Sequence, residues 1–341
     1  MRVYLARGVM ATTAIEGNTL SEDEVRAILD GDLELPPSRK YLQREVENVI
    51  DAYNDALGEL EADPAQQLTV EWLKRFNARI LQGLELDEGV VPGEIRKHSV
   101  VVGRYRGAPP ESCEYLLGRL CEWLAGNDFD APPHRPELAA PLAIVKAIVA
   151  HLYLAWIHPF GDGNGRTARL MELQILLGAG FPPAACQLLS NHYNLTRADY
   201  YRRLDQATRE SDETVFIAYA VRGFVDQLEE QLDRIWDQQF VDRWEQFVYQ
   251  TFGGVRSETQ HRRLRLVLAV SKAGEPVPRA EIPTLTLALA RAYADKTSKT
   301  VTRDLNAIRD LGLLRQEPTG FVPTSEQIVG LGGTVGGVLD A

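Results

Sequence analysis

Residues 158–166 read HPFGDGNGR, and the contrast with what precedes them decides the fold. Residues 142–157, LAIVKAIVAHLYLAWI, are almost wholly apolar, so they read as a buried core helix. That helix breaks into nine positions holding three glycines, a histidine, an acid, an asparagine and an arginine. Gly161, Gly163 and Gly165 alternate, which opens backbone conformations closed to other residues. Such a turn can aim successive N–H groups into one hollow, an anion-binding nest. A second helix is predicted from about Gly165 to 177, its free N–H groups and dipole facing the same hollow. Arg166 and Arg169 stand three apart on its first turn. Two guanidiniums beside such a nest suit a polyphosphate better than a single carboxylate.

Asp162 sits inside this nest, where its charge would repel phosphate unless a cation lies between. Mg²⁺ binds through one or two carboxylates plus substrate phosphates, so one acid suffices. His158, four residues upstream, has the titration range of a base near neutral pH. Phosphate cradle, metal anchor and proton acceptor together are equipment for moving part of a nucleotide onto a hydroxyl. Each piece alone has a plainer reading: a helix-end hydrogen bond for HxxxD, a turn for GxGxG, a solvated face for the arginines. Their coincidence after so apolar a helix favours the phosphate site. The P-loop pattern is missing, and GxGxG follows a helix and lacks the GxGxxG spacing, so neither a P-loop nor a dinucleotide fold is predicted.

Helical patterning surrounds the loop. SEDEVRAILD (21–30) opens with a capping-box pair, Ser21 and Glu24. Residues 38–61 keep Leu42, Val46, Val49, Tyr53 and Leu57 near a 3.6-residue period. Thr69 precedes another helix through Trp72, Leu73, Phe76 and Ile80. KHSVVVGRYRG (97–107) reads as a short hairpin. Further helices are expected over 112–125, 138–157, 196–208 and 213–250. TFGGVRSE (251–258) reads as a linker, followed by helices over 259–273, within 279–293 and over 297–311, then a strand, a turn and a strand in GLLRQEPTGFVPT (312–324).

HPFGDGNGRTAR (158–169) resembles the signature of the Fic family, HxFx[DE]GNGRxxR, at all eight fixed positions: His158, Phe160, Asp162, Gly163, Asn164, Gly165, Arg166 and Arg169. The resemblance extends over roughly residues 8–235. It implies a mainly α fold: a Fic-type helical core whose 97–107 hairpin resembles the family's flap. It also implies transfer of AMP from ATP to a Ser, Thr or Tyr hydroxyl of a protein. On that resemblance His158 is the base, and Asp162 holds Mg²⁺ at the α and β phosphates. Gly163, Asn164 and Gly165 form the anion hole, Arg166 contacts phosphate, and Arg169 binds the γ-phosphate. Phe160 anchors the loop in the core. ADYYRRL (198–204) resembles a stretch that puts Tyr200 and Tyr201 near the base, with Thr208 where some relatives have asparagine. Gly165, where kinase-like relatives carry lysine, points to AMP transfer.

TTAIEGNTL (12–20) is on its own a loop or helix end. Thr12, Glu16 and Gly17 match the family's inhibitory pattern [ST]xxxE[GN]. There the glutamate pairs with the second arginine, here Arg169, and occupies the guanidinium that the γ-phosphate needs. The resemblance implies an inhibitory segment (1–30) and a catalytic core (31–250); beyond it, three helices followed by a two-strand wing resemble a winged helix (258–325), and the glycine-rich end reads as a flexible tail (326–341).

Composition bounds the partners. The 341 residues carry 37 Lys and Arg against 48 Asp and Glu, net −11, which argues against a general nucleic-acid or membrane-surface binder. The apolar window 141–157 is shorter than the ~20 residues a bilayer span needs, and no membrane association is expected. Cys113, Cys121 and Cys186 lack zinc spacing and read as reduced thiols of a cytoplasmic protein. In KTSKTVTRDLNAIRDLGLL (296–314), Lys296, Ser298, Lys299, Thr300 and Arg303 lie where a helix-turn-helix meets DNA, and HRRLR (261–265) adds basic residues. Docking of a protein is the competing reading of this unit. The expected partners are ATP, a target protein that includes the chain itself, and a second copy in a homodimer. The alternatives are a DNA-binding regulator whose core senses nucleotide, and a related enzyme that uses another nucleotide or removes AMP.

Overall fold

A computed structural model describes residues 2–102, 105–255 and 257–324; the tail expected over 326–341 lies outside them. The chain divides into two compact units, Met1–Glu230 and Gln231–Ala341.

The first unit is helical. α1 (Arg2–Ile15) and α2 (Glu22–Asp30) are followed by α3 (Lys40–Ala62), α4 (Val70–Ile80), the strands β1 (Val101–Val102) and β2 (Tyr105–Arg106), and α5 (Pro110–Ala125). Then come α6 (Ala139–Ile157), α7 (Asn164–Gly178), α8 (Leu188–Leu195), α9 (Arg197–Glu210) and α10 (Thr214–Thr251). Ser21 accepts from the Glu24 N–H while the Glu24 carboxylate accepts from Ser21, closing the expected box. The Thr69 hydroxyl caps α4 at Trp72 N–H. Along α3, Leu42, Val46, Val49, Tyr53 and Ala56 are buried, each at three or four residues from the next, as the helical period requires. The hairpin is shorter than 97–107, with Val101 opposite Arg106 and Val102 opposite Tyr105.

α6 packs along α7 at the centre. α6 matches the helix expected over 138–157; extended back through a 3₁₀ turn to Pro136, it spans 22 residues and is long and apolar enough to cross a membrane, longer than the apolar window 141–157. Its environment is protein: Ala147, Ile148, Ala150, Leu152 and Leu154 are buried in the core that α1, α3, α4 and α7 share. Each such Ile or Leu contributes about 1.5–3 kcal/mol by leaving water.

Two helices went unread in the sequence. α1 is apolar on more than one side, with Ala6, Val9, Ala11 and Ile15 buried, and so shows little amphipathic contrast. α8 is only eight residues long and follows a proline-rich turn.

The second unit takes Trp244 and Val248 from the end of α10 and Phe252 just past it into its own core, with Leu264, Val267, Ile282, Leu289, Val301, Leu305, Ile308 and Phe321. The compact units therefore divide within α10 and not at 251–258, because the last turns of that helix are core residues of the second unit. α11 (Glu258–Ser271), α12 (Leu287–Tyr293) and α13 (Ser298–Asp310) precede β3 (Leu314–Gln316) and β4 (Phe321–Pro323). β3 and β4 are antiparallel, and Val277 bridges to Phe321.

Candidate active site

His158 ends α6 in the left-handed conformation, φ 49° and ψ 57°. For a residue with a Cβ this costs about 1–2 kcal/mol, and such strain concentrates at functional sites. Arg96, buried on the preceding segment, holds the turn: its Nε donates to the His158 carbonyl at 2.7 Å, and its other nitrogens donate to the carbonyls of His98 and Ala108. One guanidinium thus ties the base of the hairpin to the end of α6. Burial pushes the His158 imidazole below its ordinary pKa, and Arg96 adds to that; the ring is a neutral proton acceptor at neutral pH.

Of the three alternating glycines only Gly163 has a positive φ, 76°. At Gly165 the missing side chain makes room: a Cβ there would lie 2.3 Å from Glu16 Oε1. Asn164 is tied to the loop itself, donating from Nδ2 to the Phe160 carbonyl and accepting at Oδ1 from Phe160 N–H, both at 2.9 Å. Its side chain therefore braces the turn; what it offers an anion is its backbone N–H. Phe160 is buried as expected. Asn77 of α4 donates to the Asp162 carbonyl at 3.0 Å. No side chain caps α7, so the N–H groups of its first turn are open donors.

Arg169 is fully buried. Its Nε donates to Thr12 Oγ1 at 2.7 Å, and its Nη2 donates to the Thr12 carbonyl at 2.9 Å and to Glu16 Oε1 at 2.5 Å. Gly17, with φ 104°, follows the end of α1. The Glu16 backbone is exposed, but its carboxylate turns inward. Burial opposes its charge, yet Arg169, then Arg166 and Arg197, hold the carboxyl below its ordinary pKa. Arg166 donates to Glu45 Oε1 at 2.5 Å and to Asp162 Oδ1 at 3.1 Å. Arg166 Nε and Arg169 Nη1 are buried and find no acceptor among the described residues. Two guanidiniums with unused donors beside open backbone N–H groups can bind a polyanion.

A cavity of about 560 Å³ holds His158, Gly165, Glu16, Tyr105, Trp156 and Tyr201 in its lining. Tyr105 donates its hydroxyl to the Trp156 carbonyl, and Trp156 donates to Thr208 Oγ1 at 2.8 Å, so Thr208 braces the wall. Tyr200 lines the cavity too but is buried, its hydroxyl 2.9 Å from His151 Nε2. His151 Nδ1 lies 3.2 Å from Glu172 Oε1, which accepts from the Tyr193 hydroxyl at 2.9 Å. Asp162 and Arg166 face a different hollow of about 850 Å³, edged by Lys40, Arg44 and Glu45. The loop therefore divides the predicted residues between two faces.

No cluster of three or more metal-ligating side chains occurs among the described residues. Asp162 is nevertheless half-exposed, and both of its side-chain hydrogen bonds fall on Oδ1. One free carboxylate oxygen fits a Mg²⁺ whose remaining ligands are phosphates and water.

Glu45, Arg96, Asn77 and the His151–Glu172 pair were not singled out from the sequence. Each is a single polar residue in a helix or loop, with no local spacing that marks it.

Residues 67–176 match the model of the Fic/DOC family. The chain is similar to protein adenylyltransferase fic-1 of Caenorhabditis briggsae, 32% identical over 214 residues, which is 63% of this chain and 38% of that protein. It is 31% identical over 211 residues to protein adenylyltransferase Fic of Nematostella vectensis, covering 62% of this chain and 45% of that protein. The chain spans less than half the length of these curated relatives. A solved Fic family protein from Desulfovibrio desulfuricans G20 has the same fold, with TM-score 0.56 at 22% identity over 94% of this chain and 86% of that one. Residues 134–508 of Fic-1 from Caenorhabditis elegans give TM-score 0.54 at 26% identity, over 69% of this chain and 64% of that one.

Proposed function

From a chain that carries a Fic domain, we infer a protein adenylyltransferase held in check by Glu16. The observation that carries this reading is the pairing of a neutral His158 with the Arg169–Glu16 contact at the open end of α7. His158 accepts the proton of a Ser, Thr or Tyr hydroxyl as its oxygen attacks the α-phosphorus of ATP. The bond to the bridging oxygen breaks and pyrophosphate leaves. The first-turn N–H groups of α7 receive the charge that develops on the phosphates, and Arg166 and Arg169 neutralise the leaving group. Mg²⁺ at Asp162 would supply further charge neutralisation. The adenosine lies in the cavity beside Tyr201 and Tyr200.

Glu16 opposes this in two ways. It occupies the Arg169 nitrogen a γ-phosphate would use, and its negative charge fills the space over Gly165 where phosphates would pass. The three cysteines are buried and unpaired, which supports a reducing, cytoplasmic setting. The test is intact-mass spectrometry after incubation with Mg·ATP. An adenylyl increment should be stronger in Glu16→Gly than in wild type and absent in His158→Ala. Equal spectra from all three would overturn the reading.

A further inference from the structure

The stretch 296–314 has no part in that chemistry. In the second unit α12, a short turn and α13 form a helix-turn-helix, with β3 and β4 behind it as a wing. Val301, Asp304, Leu305 and Ile308 of α13 are buried, while Ser298, Lys299, Arg303 and Asn306 are exposed, with Lys296 exposed just ahead of the helix. We infer that this face binds duplex DNA, with α13 lying in the major groove. The inference rests on nothing in the adenylyl-transfer reading.

Charge supports it first. Residues 258–324 hold eleven Lys and Arg against seven Asp and Glu, in a chain whose net charge is −11. Pairing supports it next. Arg26, Arg79, Arg119 and Arg209 of the first unit all sit on carboxylates, whereas Lys296, Lys299 and Arg303 form no ion pair among the described residues. Unspent cations on one helix face are available to phosphate. Shape and residue type agree. Lys299, Arg303 and Asn306 are spaced i, i+4, i+7, about 10 Å of helix, and they line a shallow hollow of about 480 Å³ with Thr302 and Asp310. Arg and Lys read guanine and Asn reads adenine from that groove.

Along α13 itself no large apolar side chain is exposed among the described residues; the exposed Leu287 and Leu311 lie at the start of α12 and just past the end of α13, so the Lys299, Arg303 and Asn306 stripe offers no apolar anchor of its own. Asp310 at the far end of the hollow and the acidic remainder of the chain confine favourable contact to α13. The 261–265 cluster adds less than its composition suggests. Arg262 and Arg263 both donate to the buried Asp304, at 2.7 and 2.8 Å, and Tyr293 donates to it at 3.0 Å. That clamp joins α11, α12 and α13 and fixes the angle at which α13 is presented.

The test is fluorescence anisotropy of a labelled random-sequence duplex with the full chain, titrated from about 50 to 200 mM salt. Binding should weaken steeply with salt. Lys299→Gln with Arg303→Gln should weaken it about tenfold or more and flatten the log–log salt slope by about two, one for each phosphate no longer neutralised. Arg119→Gln should leave both unchanged. Unchanged melting curves would show that each variant is folded. No anisotropy change at the lowest salt, or the same slope in the double variant as in wild type, would overturn the inference. So would an unlabelled polyglutamate competing as well as duplex of equal charge, since the face would then suit acidic protein.

Discussion

On the proposed reading, replacing Glu16 with glycine removes one contact that serves stability and inhibition at once, so its two consequences can be sized together. The Glu16 carboxylate meets Arg169 Nη2 at 2.5 Å with its side chain 28% exposed. A hydrogen bond to a charged group nets about 1.5–3 kcal/mol. If that energy holds the site closed to the triphosphate, its loss raises occupancy of the productive pose by about 10- to 150-fold, at about 1.4 kcal/mol per decade. The same loss lowers the melting temperature by about 3–12 °C, at about 2–4 °C per kcal/mol for a unit of this size. Arg169 keeps both Thr12 hydrogen bonds, so the variant folds. Initial rates of label transfer from α-labelled ATP should rise by one to two decades, and Mg·ATP should restore much of the lost thermal stability in this variant and little in wild type. Glu16→Gln, which keeps the acceptor and loses the charge, should fall between. A Glu16→Gly rate within twofold of wild type, with melting lowered as expected, would show that the contact is structural and not a brake.

Other outcomes follow from the same geometry. Because burial lowers the His158 pKa below 6.5, the imidazole is protonated only at lower pH; the midpoint of the acid limb of the Glu16→Gly rate should lie below 6.5. A break above pH 7 would contradict the burial argument. Because the Glu16 pKa lies below 4.5, its share of stability is present above that value and lost as pH falls through the lowered one; the ratio of Glu16→Gly to wild-type label transfer, in which protonation of His158 cancels, should therefore be as large at pH 5 as at pH 7. Asn164→Ala leaves the Phe160 N–H and carbonyl without partners. It should cost about 1–3 kcal/mol in a denaturant melt and lower kcat, while Asn164→Asp retains part of both. Asp304→Ala strands Arg262 and Arg263 in the second unit and should destabilise that unit by about 3–5 kcal/mol, leaving label transfer by the Glu16→Gly chain unchanged.

The loop was legible because its residues are neighbours in sequence: the alternation of glycines, the i, i+3 arginines and the apolar helix before them are all local. The same holds for the Ser21 box, the Thr69 cap and the periodic α3. What stayed hidden is long-range. Glu45 reaches Arg166 across 121 positions, and Arg96 reaches the His158 carbonyl across 62; neither has a local pattern, because a single polar residue in a helix or a loop looks alike whether it faces water or a buried partner. Asn164 shows the reverse. Its place in the motif was plain, but the direction of its side chain is set by the turn it closes.

If Glu16 is the brake proposed above, its position also limits how inhibition can be lifted. α1 is anchored by Ala6, Val9, Ala11 and Ile15, all buried; withdrawing the helix would expose Val9 and Ile15 alone at about 1.5–3 kcal/mol each and strand Thr12 and the buried Arg169. Past the helix, Asn18 donates to the Leu42 carbonyl and to Glu45, pinning the chain again. Between these anchors only Glu16 and Gly17 are exposed. The smallest opening motion is therefore a swing of one side chain with a local backbone change at 16–17, which surrenders a single charge-assisted hydrogen bond. A triphosphate supplies acceptors for the same nitrogen. Release thus needs only a bias of about 1–3 kcal/mol, the usual size of a coupling between sites, and any contact that tilts the exposed 16–17 corner can provide it without unfolding the segment that carries the brake.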